Sequence, residues 1–249
     1  MAGHNKWSKI KRGKAIVDAK RGNAFSKLAK EITLAAKAGG GIPDMNARLR
    51  SAIAAAKAAN VPNDNIDRAI KKGTGELASA ALEEILYEAY GPGGVAMMIE
   101  IVTDNRNRSA NDIRVLLSKN NGTFADSGSV AYMFQRLGEI RLDKAAATED
   151  RLMEIALEAG ADDIADSGDE WIVYTPTERL FQVASALREN HLSPNGQNLI
   201  YQPQTLVTVS DLETAKSLIR LYDVLDDYDD SQHIHANFEI DDSIADQLD

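Results

Sequence analysis

The spacing of apolar residues changes character near residue 80, and that change limits the folds open to the chain. Before it, apolar residues recur at three- and four-residue intervals. Phe25, Leu28, Ala29, Ile32 and Ala36 share one helical face, Leu49, Ile53 and Ala56 a second, and Ile66, Ala69 and Ile70 a third. Three helices are expected. Gly39-Gly40-Gly41 ends the first, Asp44 after Pro43 is placed to cap the second, and Asn60-Val61-Pro62-Asn63 leads into the third, with Gly73 as its terminator. The many alanines allow close packing but bury little area each, so these helices depend on one another.

Beyond a junction at 74–82, short β-favouring runs alternate with helical segments. Residues 84–90 and 95–102 read as strands joined by Gly91-Pro92-Gly93-Gly94. A helix then follows 103–109, with Asn107 or Ser109 as its cap and Ile113, Leu116 and Leu117 inward, and 130–134 reads as the next strand. From 136 to 204 the order is strand (139–142), helix (149–158), strands (162–166 and 170–174), helix (178–189) and strand (198–201), a split βαβ. Alternation around Trp171 makes it a core residue rather than a ligand platform. A strand at 206–209, a helix through Ala215, Leu218, Ile219 and Leu225, and a strand through 234–238 then supply what the 84–134 segment lacks for a two-layer domain. The expected class is α+β in three domains: a basic three-helix domain (1–78), an α/β domain in two pieces (79–135 and 205–240), a ferredoxin-like α/β domain (136–204) inserted into it, and an acidic tail (241–249).

Charge divides along the same boundary. The first 75 residues carry sixteen Lys and Arg against five Asp and Glu, net +11, whereas the rest carries twelve against thirty-three, net −21. A basic end on an acidic body suits a polyanion bound at one end, which makes nucleic acid the expected partner. Lys6, Lys9, Lys11, Arg12, Lys14, Lys20 and Arg21, spaced by glycines, form an arm expected to be ordered by that partner. Trp7 either stacks on a base or tethers the arm through Ile10. Lys27 and Lys30, off the first helix's apolar face, and Lys71 and Lys72, in the third helix's last turn, extend the candidate nucleic-acid contacts. Arg106 and Arg108 are candidates for a phosphate at a helix N-terminus, against the alternative of a solvated cap. The glycines and proline between the first two helices argue against a helix-turn-helix, so phosphate contact is expected and base reading is not.

The chain has no Cys, which removes disulfides, thiol catalysis and cysteine metal sites. Apolar runs fall short of membrane-spanning length, and the sequence predicts a cytoplasmic protein without membrane contact. Gly91–Gly94 leads into a strand, not the helix a phosphate-cradling loop needs. His233 and His235 share a strand face and, with a carboxylate, match a divalent-metal pair, but a solvated strand is the simpler reading. The carboxylates of 223–230 lack a calcium loop's glycine and ligand spacing and read as a repelling acidic surface. No nucleophile–base–acid set emerges, so a binding protein without catalysis, cofactor or metal is expected, with a metal-dependent nuclease as the enzymatic alternative.

The stretches MAGHNKWSKIKRGKAIVDAKRGNAFSKLAKEI, NARLRSAIAAAKAANVPNDNIDRAIKKG, YEAYGPGGVAMMIEIVTDNRNRSANDIR and GSVAYMF make the chain resemble, over nearly its whole length, the YebC/PmpR family, which is related to the mitochondrial translational activator of cytochrome c oxidase. The resemblance implies a helical N-terminal domain with two α/β domains, the third inserted into the second. It also implies a regulator: either a DNA-binding transcriptional regulator, or a ribosome-associated translation factor that binds ribosomal RNA, and ribosomal proteins with it, to relieve stalled peptide-bond formation. In the second case the basic arm meets RNA phosphates, with Trp7 near its insertion point. A protein-only adaptor acting through the acidic domains is a third reading.

Overall fold

The computed structural model describes residues 18–248, with side chains placed from residue 22 onward. The chain divides into two compact units, one running to Met133 and resuming at Pro203, the other spanning Phe134–Gln202.

The first unit begins with three helices: α1 (Asp18–Gly39), α2 (Ala47–Ala58) and α3 (Asn63–Thr74). Ile32, Ala35, Ala36, Leu49, Ala52, Ala56, Val61, Ile66 and Ala69 form their core, in which the alanines let backbones approach closely. Gly73 extends that approach. A Cβ at this position would lie 2.4 Å from the Thr33 carbonyl oxygen and 2.7 Å from the Ala36 Cβ. Gly73 therefore packs inside α3, and the helix ends at Gly75, whose φ of 82° is the left-handed terminator expected two residues earlier. The cap of α2 also differs from expectation. Pro43–Met45 closes a separate 3-10 turn that takes up Asp44, and Asn46 caps α2 by accepting from the Leu49 N–H at 3.0 Å. The same buried Asn46 donates to the carbonyls of Ala35 (2.7 Å) and Gly40 (2.9 Å), tying the end of α1 to the start of α2.

The rest of the unit is a sheet of order β3-β1-β2-β9, built from β1 (Glu83–Tyr90), β2 (Ala96–Thr103), β3 (Thr123–Ala125) and β9 (Ser231–Ala236). Helices α4 (Arg106–Lys119) and α7 (Leu212–Asp226) contribute Ile113, Leu117, Leu218, Leu221 and Leu225 to a core with Met97, Ile99 and Ile101. The last strand is divided where the sequence predicts one continuous run. Asn237 accepts from the Ala96 N–H at 2.7 Å through Oδ1 and donates its own N–H back to the Ala96 carbonyl at 3.1 Å. Beyond that clasp, β10 (Phe238–Ile240) leaves the sheet to pair in parallel with β8 (Val207–Val209). The expected acidic tail is part of the fold up to Leu248: α8 (Asp242–Ala245) buries Ile244 and Ala245, and Leu248 packs against the same core.

The predicted strand at 130–134 is also corrected. Glu88, buried in β1, accepts from the backbone N–H groups of Gly128 (2.6 Å), Val130 (2.7 Å) and Ala131 (2.9 Å). Amides held this way are unavailable to a β-ladder, so Ala131–Met133 forms a 3-10 turn and β4 begins at Phe134. Burial opposes the charge on Glu88, but the three N–H groups outweigh it and hold the carboxyl below its ordinary range.

The second unit runs β4 (Phe134–Asp143), α5 (Glu149–Glu158), β5 (Asp163–Asp166), β6 (Glu170–Thr175), α6 (Leu180–Glu189) and β7 (Gly196–Pro203), with strand order β5-β6-β4-β7. Ile140, Leu142, Trp171 and Val173 from adjacent antiparallel strands meet Leu152, Leu180, Val183 and Leu187 from the helices. Trp171 lies in this core, as alternation predicts, and its indole N–H donates to the Ala147 carbonyl at 3.1 Å.

Candidate nucleic-acid interface

The basic residues of the helical region fall into two groups. The first is directed at the α/β part of its own unit. The Lys27 ammonium donates to the Asp226 carbonyl (2.6 Å) and carboxylate (3.2 Å), and Lys30 donates to the carbonyls of Val102 (3.0 Å) and Asp229 (2.8 Å) and the Asp230 carboxylate (2.7 Å). Asn23 reaches the Asp227 carbonyl, Lys37 the Leu82 carbonyl, and Arg48 bridges Glu31 and Glu84. Because α1 is a regular helix, residues 23, 27 and 30 stack along one side of it and meet the segment 226–230 together. That segment is a seat for α1, a role different from the repelling surface its composition suggests.

Asp230 is the centre of this contact. Its Oδ2 accepts from Arg108 (2.8 Å), Ser109 (2.8 Å), Thr103 (3.0 Å) and Tyr228 (3.2 Å), while Oδ1 takes Lys30. Burial works against the charge, yet the donors from Lys30, Arg108 and Ser109 outweigh it and hold the carboxyl far below the usual carboxylate range. Burial, together with Asp112 and Asp230, pushes the Tyr228 hydroxyl up to about 12. Arg108 also pairs with Asp104 at 2.9 Å. The guanidinium that the sequence offers to a phosphate is thus held by two carboxylates of its own chain, and its affinity for its proton rises through Asp230 first. Asn105, rather than Asn107 or Ser109, caps α4 by accepting from the Arg108 N–H at 3.1 Å. Arg106 is exposed, and its carbonyl accepts from the Tyr87 hydroxyl at 3.3 Å.

The second group faces solvent. Lys57, Arg68, Lys71 and Lys72 are exposed and form no ion pair among the described residues, and exposed Arg50 makes only long 3.5 Å contacts to the carbonyls of Pro43 and Asp44. Lys71 and Lys72 occupy the last turn of α3, where cations favour the helix C-terminus. Of these five, sequence reasoning selected only Lys71 and Lys72. Lys6, Trp7, Lys9, Lys11, Arg12 and Lys14 lie outside the described residues, as do the side chains of Lys20 and Arg21.

His235 Nε2 lies 2.8 Å from a Glu100 carboxylate oxygen, with the His233 ring 6.2 Å away, and no group of three or more His, Asp or Glu among the described residues is placed to hold a metal ion. Among the same residues no helix is long and apolar enough to cross a membrane.

Comparison with known proteins gives this arrangement its relatives. A bacterial protein of Akkermansia muciniphila, described as a probable transcriptional regulatory protein, is 52% identical over 250 residues, covering 100% of each chain. Another of that description, from Syntrophobacter fumaroxidans, is 51% identical over 248 residues, again covering both chains in full. The crystal structure of a conserved hypothetical protein from Aquifex aeolicus is 43% identical and superposes with a TM-score of 0.84, covering 92% of this chain and 94% of that one. Residues 5–76 match the TACO1/YebC protein N-terminal domain, and residues 82–238 match the TACO1/YebC second and third domain. The change of pattern near residue 80 falls between these two matches, and together they span the basic helices and both α/β parts: the chain belongs to the TACO1/YebC family.

Proposed function

We propose that the protein is a non-catalytic regulator that binds nucleic acid through its basic N-terminal region and acts in the cytoplasm. The observation that carries this reading is the division of cations just described. Lys27, Lys30, Lys37 and Arg48 are engaged within the chain, while Arg50, Lys57, Arg68, Lys71 and Lys72 remain exposed and join the seven cations of the arm. The contact set is accordingly Lys6, Lys9, Lys11, Arg12, Lys14, Lys20, Arg21, Lys71 and Lys72, with Trp7 beside them and Arg50, Lys57 and Arg68 added. Lys27, Lys30 and Arg108 position the helical domain, and Arg106 stays available to a phosphate. The organisation is read as three domains: 1–78; 79–135 with 205–240, continuing into 241–249; and 136–204. The third is ferredoxin-like, a reading supported by its β-α-β-β-α-β order and by the strand order β5-β6-β4-β7.

The relatives' description makes DNA-dependent transcriptional regulation the first form of this function. A second form, binding of ribosomal RNA in translation, is favoured by the placement of the free cations. They are spread over α2, α3 and the arm, which suits recognition of a folded RNA through its backbone and shape better than reading of a duplex by one helix. Crosslinking in intact cells, followed by sequencing of attached RNA and DNA, separates the two. Discrete promoter sites support transcription, ribosomal RNA enrichment supports translation, and crosslinks unchanged on replacing Lys9, Lys11, Arg12 and Lys14 by Gln would refute binding through the arm.

A further inference from the structure

A groove of about 520 Å³ runs between α1, α3 and the connection that follows α3, and none of the contacts described above fills it. Its floor is apolar, from Phe25 and Ala29 of α1, Ala69 of α3, and Leu82 of the connection. Its rim carries Arg68 and Lys72, one helical turn apart on the exposed side of α3, so both cations look onto the same opening. Ser26, Asn65 and Ser79 line it as well, and their side chains make no hydrogen bond among the described residues. The two other charges at its border are already engaged, Lys30 with Asp230 and Asp104 with Arg108.

An apolar floor, with hydrogen-bonding groups and a cationic rim that have no partner among the described residues, matches a ligand with a flat, largely apolar part edged by donors and acceptors and an anion attached to it. We infer that this groove holds one unpaired nucleotide of a single strand, with the base against Phe25 and Leu82 and the phosphate on Arg68 and Lys72. The inference rests on the nucleic-acid-binding function proposed above and gives the bound strand a defined anchor. The volume lies within the ~300–1,000 Å³ usual for small-molecule sites, and a base face on an aromatic residue tolerates any sequence. A duplex keeps its bases stacked and paired and cannot place one here without unpairing it.

The test uses the full chain and fluorescein-labelled 12-nucleotide RNA, DNA of the same sequence, and the matched duplex, read by anisotropy. Two variants address separate features. Arg68→Gln with Lys72→Gln removes the rim charge, and Ala80→Leu, at an exposed position in the connection, adds bulk without changing charge. The rim variant should lose about five- to tenfold in single-strand affinity, and its log–log salt slope should fall by about 0.7, the value for the one phosphate that the two cations share. Ala80→Leu should weaken single-strand binding at least threefold and leave duplex binding unchanged. Tighter binding of RNA than of DNA assigns the strand to RNA, the reverse assigns it to DNA, and equal affinity assigns the groove to a nucleotide of either kind. Wild-type affinity in both variants, with circular dichroism confirming the fold, would overturn the inference, as would equal losses for single strand and duplex or displacement of the strand by polyglutamate. Failure of the wild type to bind any strand would instead refute the broader function. Loss of binding confined to the Lys9, Lys11, Arg12 and Lys14 variant would retain that function and reject the groove.

Discussion

Replacing Asp230 by Asn keeps the side chain's shape and removes the charge on which five donors converge. The carboxylate is 8% exposed, Lys30 20% and Arg108 47%, so the variant leaves two cations short of a partner at the contact between the helical and α/β parts. Breaking a fully buried ion pair by removing one partner costs about 3–5 kcal/mol. Lys30 and Arg108 keep some access to water and Arg108 keeps Asp104, which reduces the expected loss to about 2–3 kcal/mol. The loss depends on pH. Folding lowers the carboxyl's proton affinity, so the unfolded chain, with a pKa of about 3.9, takes up the proton first. The stabilisation is complete above that value and declines as pH falls from it toward the lower folded pKa. Urea unfolding of both proteins should therefore show the full difference at pH 7 and a smaller one at pH 3. A difference under about 0.5 kcal/mol at pH 7, the size of an ordinary surface change, would refute the assignment of Asp230 as the organising charge, as would a gap that fails to narrow in acid.

Three further changes test other parts of the fold. Gly73→Ala should destabilise the helical region by about 1–3 kcal/mol, because the added methyl meets the Thr33 carbonyl and the Ala36 Cβ; a stabilised variant in thermal denaturation would show that α3 can shift away from α1. Asn46→Ala removes a cap and two donations, one buried and one half-buried, and should cost about 2–3 kcal/mol, whereas a loss of a few tenths in urea would mean the three bonds contribute little. Glu88→Gln puts an N–H₂ where backbone N–H groups now point, which should cost about 2 kcal/mol and raise amide exchange at Gly128, Val130 and Ala131; unchanged exchange there would contradict the anchoring role.

Local patterns made most elements legible. The apolar run of 95–102 and the helical segment of 149–158 are local signals, and β2 and α5 lie where the sequence puts them. The differences arise where a local signal competes with a distant partner. Val130, Ala131 and Tyr132 read as strand, but their neighbourhood is shaped by Glu88, about forty residues earlier in the chain. Asp44 and Asn46 are equally good caps by composition, and Pro43, by closing a 3-10 turn, decides between them. Gly73 and Gly75 are equally good terminators until the crossing of α1 and α3 requires a missing side chain at 73. Lys27 and Lys30 are indistinguishable in sequence from the free cations for a similar reason, since their partners lie some 200 residues away in an acidic run without a motif of its own. Their three-residue spacing on one helix side, set against Asp226–Asp230, is the signal that joins them. Arg68 and Lys72 are neighbours by their four-residue spacing on the predicted third helix, but only the fold sets the pair beside Phe25 and Leu82 on the groove.

The most direct test of the central claim is a salt titration of the full chain binding RNA and DNA, comparing the wild type with the variant in which Lys9, Lys11, Arg12 and Lys14 are Gln. Each phosphate that a cation no longer neutralises lowers the slope of log affinity against log salt by about 0.7–0.9, so the variant should bind more weakly with a slope smaller by about 3. Equal affinity and an equal slope in a correctly folded variant would contradict binding through the basic N-terminal region.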